Sequence, residues 1–316
     1  MKIFATINFL AIILLIFSQS ASSQEKPIVL KTPTGKIYGT LSLPDKKKDL
    51  TVVLIISGSG PTDRNCNQPN MKTNSFKYLA DSLLKYDIAS VRFDKRGVGE
   101  SVQKNIKESD LRFENYIDDV KLWIELLSKD KRFSRIVVAG HSEGSLIGMV
   151  ACASNPNVKA FISISGSGTS ADVKIKEQIA DQSPKMKKLI ISKIDSLKNG
   201  DTLLQVPLSL FSLFRPSIQP YMKSWFKYNP QEEISKLHIP ILIIQGTTDI
   251  QVSENDAELL YKACPLARKE IIQNMNHILK TCFTTDKSEN AATYYNTDLP
   301  LNTDFVKEFI DFMRTL

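Results

Sequence analysis

Residues 51–57 read TVVLIIS, an unbroken β-branched and aliphatic run with no polar residue in its interior. A strand with one wet face alternates apolar and polar residues. An unbroken run fits a strand covered on both faces, which is the situation in a parallel sheet between two helical layers. Further strand-like stretches, mostly apolar, recur at 88–93, 135–139, 160–165 and 240–245, with a shorter one at 269–272. Between them lie helical spacings at 75–85, 111–127, 146–153 and 256–263, and another at 305–313 closes the chain. In the 111–127 segment Phe113, Tyr116, Ile117, Val120, Trp123 and Leu127 fall near one face. Strand and helix alternate along both halves, so the fold class is α/β, with a mostly parallel central sheet and helices on both faces. A hairpin precedes it, from residues 28–32 and 37–43 joined at Pro33-Thr34-Gly35.

The alternation breaks once. Residues 166–239 contain helical stretches, three prolines (Pro184, Pro207, Pro216) and an aromatic-rich segment, and read as a helical cap inserted into a core made of 24–165 and 240–316. Its Phe211, Phe214, Tyr221, Trp225 and Phe226 are candidates for lining a substrate pocket, or for packing the insertion onto the body.

Residues 1–23 have the three parts of a secretory signal peptide: Lys2, an apolar core over 7–17, and a small polar stretch with Ala21 and Ser23 at cleavage spacing. The apolar core is short for a bilayer span. The expectation is therefore export to the periplasm or the medium, with no stable membrane anchor after cleavage. The formal charge is +7, but the lysines are scattered (46–48; 185, 187 and 188; the rest single), so no basic face for nucleic acid is expected. Four cysteines (Cys66, Cys152, Cys264, Cys282) are too few for a disulfide scaffold and lack metal-site spacing. Cys152 reads as a buried small residue, and Cys66–Cys282 is the pair to test for a bridge. No cofactor or metal is called for.

Residues 137–145, VVAGHSEGS, place Ser142 between two glycines where a strand gives way to a helix. A turn that sharp strains the serine backbone, and the glycines permit close approach of neighbouring chain. A serine hydroxyl is a weak nucleophile and needs a base. Of three histidines, His141 is expected on the other side of the turn and His238 at the amino edge of the sheet. His277 follows the last strand at the carboxyl edge and is the candidate base. Asp249, just beyond the strand over 240–245, is the candidate acid that orients it. Asp256 is the more natural helix cap, and a role for Asp94 as second acid arises only if Asp249 is misplaced. Charge developing on a carbonyl oxygen requires preset N–H donors. The backbone of Glu143 is one candidate; the loop GSGPTDR over 58–64 offers Ser59 first and Gly60 second. The Glu143 carboxylate is expected to be solvated, with Arg64 as its alternative partner.

GSGPTDRN (58–65), RFDKRGVGES (92–101), GHSEGS (140–145), QGTTDIQV (245–252) and NMNH (274–277), in this order, resemble serine α/β-hydrolases of the bacterial carboxylesterase type. The resemblance implies Ser142, Asp249 and His277 as a catalytic triad and a helical cap after the sixth core strand; the expected small-molecule substrate is a short-to-medium acyl carboxylic ester, cleaved through an acyl-enzyme. The resemblance also implies glycine where Cys66 stands, hence a stiffer or redox-linked loop here. Peptidases and thioesterases use the same triad, and a noncatalytic binding protein on this scaffold is the alternative of another class.

Overall fold

A computed structural model describes residues 24–316 apart from 46, 47, 104 and 105; the expected signal peptide lies outside the described residues. Eight strands form one sheet: β1 (Gln24–Thr32), β2 (Gly35–Leu43), β3 (Leu50–Ile56), β4 (Ala89–Phe93), β5 (Phe133–His141), β6 (Val158–Ile164), β7 (Ile241–Gly246) and β8 (Arg268–Ile272). Their order is β1-β2-β4-β3-β5-β6-β7-β8. The β1–β2 hairpin joins β4 antiparallel, and every pairing from β4 to β8 is parallel.

The unbroken runs do what their composition requires. In β3, Val52, Leu54 and Ile56 enter one apolar cluster, while Val53 and Ile55 enter another on the opposite face. Each such side chain removed from water contributes about 1.5–3 kcal/mol. On the first face lie α2 (Phe113–Ser128), α3 (Glu143–Cys152) and α9 (Glu254–Ala263); on the second lie α1 (Ser75–Leu84) and α11 (Thr303–Arg314).

The segment between β6 and β7 holds α4 (Ala171–Gln178), α5 (Pro184–Lys198), α6 (Phe211–Phe214), α7 (Gln219–Trp225) and α8 (Pro230–Ser235). It is not uniformly a cap. Ala171, Ile190, Ile194, Leu197, Leu210, Phe214, Met222 and Phe226 bury one another in a separate small core. Tyr221, Ile234 and Leu237 instead join the main core beneath the sheet, so α8 serves the body. A second excursion leaves β8, where 273–302 carries α10 (Lys287–Ala292) and the sharp turns around Asn274 and Leu279, both at positive φ.

Candidate active site

The candidate residues follow β5, β7 and β8, three members of the parallel run β5-β6-β7-β8, and the carboxyl ends of that run form one rim, the usual ligand edge of an open α/β sheet. β5 ends in His141, Ser142 comes next with φ 54° and ψ −122°, and α3 begins at Glu143. This conformation is sterically costly for a residue with a Cβ. It persists because its surroundings leave no alternative: the Ser142 N–H donates to the Ile164 carbonyl at 2.9 Å. The two flanking glycines are required by contact. A Cβ on Gly140 would sit 2.2 Å from the Gly144 carbonyl oxygen, and one on Gly144 would sit 2.5 Å from that of Ile56.

Asp249 stands beyond β7 with its side chain fully buried. Its Oδ1 accepts from the backbone N–H groups of Gln251 (2.8 Å) and Val252 (2.9 Å). Its Oδ2 accepts from His277 Nδ1 at 2.7 Å and from Gln245 Nε2 at 3.2 Å. Burial works against ionisation, yet the His277 charge and these hydrogen bonds hold the carboxyl below its ordinary range. His277 is carried by a loop pinned to the β7 turn, with Thr248 N–H donating to the Met275 carbonyl at 3.2 Å. Ser142 and His277 line the same cavity of about 190 Å³, together with Gly58, Ser59, Thr62, Cys66, Gln68, Met71, Gln251 and Tyr294.

Several sequence expectations need correction. His141 does not point away. Its Nε2 donates to the His277 carbonyl at 2.7 Å and the two rings lie 4.7 Å apart. Burial first, then the neighbouring His277 charge, push its pKa down to about 3, so it stays neutral beside the base. Glu143 is not solvated and does not meet Arg64. Its carboxylate is buried against Lys95 at 2.8 Å and the Tyr221 hydroxyl. Arg64 grips Asp94 at 3.0 and 2.6 Å and also reaches Glu100, which gives Asp94 a structural task in shaping the loop. Gly60 does not line the cavity: its φ is 82° and its carbonyl accepts from Thr62 N–H in a tight turn. Ser59 does line it.

The aromatic set is also misplaced. Phe211 is exposed, Phe214 and Phe226 fill the small cap core, Tyr221 is tied to Glu143, and Trp225 stacks on Phe113. None of the five reaches the cavity; Phe214, Tyr221, Trp225 and Phe226 gain more by packing against other apolar groups than by facing water, while Phe211 is left at the surface. All four cysteines are free, Cys66 and Cys282 included. Burial pushes the Cys66 thiol up to about 12, and its φ of 70° is a glycine-like conformation. That is the physical content of the glycine expected at this position.

The wall that sequence reasoning missed comes from Gln251 and Tyr294, whose Nε2 and hydroxyl bond at 3.1 Å. Gln251 was visible as the second residue after Asp249. Nothing in the sequence around Tyr294 marks it, since its place depends on a loop held by Asn276 donating to Thr293 Oγ1 at 2.7 Å.

The same architecture appears among solved structures. An esterase of Pyrococcus furiosus, Pf2001, superposes with a TM-score of 0.60 at 16% identity over 93% of this chain and 92% of that one. Est1E of Butyrivibrio proteoclasticus gives 0.57 at 17% identity over 91% and 99%, and the α/β hydrolase GrgF of a Penicillium species gives 0.60 at 14% over 92% and 98%. The chain is an α/β-hydrolase by fold. A family model described as serine aminopeptidase, S33, matches residues 70–200 of this chain, which include Ser142 but neither Asp249 nor His277. Esterase EstD of Thermotoga maritima is 26% identical over 268 residues, 82% of this chain; the chain spans 60% of that relative's length.

Proposed function

We propose that this protein is an exported serine esterase that cleaves small, uncharged acyl esters through an acyl-enzyme. The observation that carries the reading is one small cavity lined by Ser142 and His277, with Asp249 bonded to the far nitrogen of that histidine. Ser142 Oγ attacks the ester carbonyl while His277 Nε2 takes its proton. Asp249 keeps the proton on Nδ1 and stabilises the imidazolium. The N–H groups of Ser59 and Glu143 receive the charge on the carbonyl oxygen. His277 then protonates the departing alkoxide and the acyl group stays on Ser142; a water deprotonated by His277 attacks the acyl carbon, and His277 returns that proton to Ser142 Oγ as the acid leaves.

The cavity selects among the chemistries this triad serves. About 190 Å³ lies well below the roughly 300–1,000 Å³ of sites for drug-sized ligands, so short acyl groups fit and medium ones do not without movement. Among the described residues that line it, none is acidic, to receive the ammonium of a peptide amino terminus, and none is lysine or arginine, to receive a carboxylate. Similarity to an esterase of Thermotoga maritima supports the same reading, and the leader pattern over 1–23 supports export to the periplasm or the medium.

Turnover of a p-nitrophenyl ester series by the chain without residues 1–23 should peak at acetate or propionate. Ser142→Ala should reduce kcat by at least ~10⁴-fold and abolish labelling by a fluorophosphonate. Full activity in that variant removes the mechanism, and absent labelling of the wild type favours a noncatalytic binding protein.

A further inference from the structure

Outside the triad, one buried cation touches both halves of the expected oxyanion hole. Lys95 is 5% exposed and Glu143 6%. The lysine Nζ donates to Glu143 Oε2 at 2.8 Å and to the Gly58 carbonyl at 3.0 Å, and lies 4.8 Å from the centre of the Tyr116 ring. Burying two charges is a poor route to stability, since well-packed apolar residues commonly do as well or better. Its position suggests another use.

We infer that Lys95 is a positioning residue that sets the spacing and direction of the two oxyanion donors, an inference that rests on the esterase reading above. In a trans peptide the carbonyl and the N–H point in opposite directions, and the described residues contain no cis peptide. A hold on the Gly58 carbonyl therefore fixes where the Ser59 N–H points. That peptide is also pressed against the nucleophile: a Cβ on Gly58 would sit 3.0 Å from Ser142 Cβ. On the other side, Glu143 is the first residue of α3, and its own N–H is the second donor. Its carboxylate is held at one oxygen by Lys95 and at the other by the Tyr221 hydroxyl. One ammonium thus ties the loop after β3 to the start of α3, while Tyr221 ties both to the segment inserted between β6 and β7. A neutral apolar residue at 95 would fill the space and leave the Gly58 peptide free to rotate.

The test compares Lys95→Met, which keeps chain length and removes the charge, with wild type on p-nitrophenyl acetate. Loss of one oxyanion donor costs about 10²–10³ in kcat, so misdirecting one should cost ~30-fold with KM within about 3-fold. An aryl trifluoromethyl ketone supplies the second readout, because its hemiketal alkoxide on Ser142 occupies the same donors. Its Ki should rise by the factor by which kcat/KM falls, a proportionality that general loss of packing would not produce. Lys95→Met/Glu143→Gln leaves no unpaired buried charge and serves if the single variant fails to fold; Tyr221→Phe should fall on the same line with a ~3-fold loss. A folded Lys95 variant with kcat within 2-fold of wild type, or one that loses kcat without losing ketone affinity, overturns the inference. Activity surviving in Ser142→Ala would overturn the esterase reading itself, whereas an inactive Ser142→Ala beside a fully active Lys95→Met would overturn this inference alone.

Discussion

Two excursions leave the sheet at its carboxyl edge, and they behave in opposite ways. The segment between β6 and β7 is long and rich in aromatics, yet it uses them in its own core and on the body. The segment after β8 is shorter and more polar, yet it carries His277 and sends Tyr294 into the cavity. The difference teaches that apolar content marks where a segment buries itself, and the cavity wall is made by the segment that carries His277 across the rim. Gln251 and Tyr294 illustrate this: each lies downstream of one triad member in sequence, and they meet across the opening at 3.1 Å.

The contrast can be broken most severely in the first segment. Phe214 is fully buried in the small cap core, so Phe214→Ala should cost about 3–5 kcal/mol. Urea denaturation would register this as an earlier transition, with the acyl-chain preference of the remaining folded enzyme unchanged. A shift in that preference would show that the aromatic core shapes the pocket after all.

The next effect belongs to His141, which shares the rim with His277 but has no acid partner. Its pKa is lowered from 6.5 to about 3 by burial and the His277 charge. Below pH 6.5 the unfolded chain binds a proton that the folded chain refuses, so stability is fully present above that pH and falls on acidification. Between pH 6.5 and 5 the loss from this one group is roughly 1–2 kcal/mol. Urea midpoints measured across that interval should slope in wild type and flatten in His141→Gln, which retains an N–H for the His277 carbonyl.

The smallest effects separate the two segments most sharply. Tyr294→Ala enlarges the cavity and frees Gln251, so kcat/KM on p-nitrophenyl butyrate relative to acetate should rise about 10-fold, of the order expected for one or two extra methylenes in an apolar pocket. Phe211→Ala, on an exposed ring 44% open to solvent, should leave that ratio within about 2-fold, as surface substitutions usually do. Equal responses from the two would erase the distinction drawn here.

The sheet was legible because unbroken apolar runs such as 51–57 have few other homes, and the strained turn at Ser142 because glycines at 140 and 144 have no steric substitute. Ser142, Asp249 and His277 could be paired in advance because parallel strands deliver their carboxyl-terminal loops to one edge. Contacts made across long loops were beyond the reach of the sequence. The partners of Glu143 lie 48 residues before it and 78 after it; the Cys66 and Cys282 thiols stay free although both loops lie at one edge; the aromatics face inward for want of any local signal. Local pattern therefore determined the fold and the rim on which Ser142, Asp249 and His277 stand, through backbone sterics and the period of apolar burial. Only tertiary structure decided the cavity wall, the neutral histidine and the buried Lys95–Glu143 pair, because each is set by which distant groups compete to leave water.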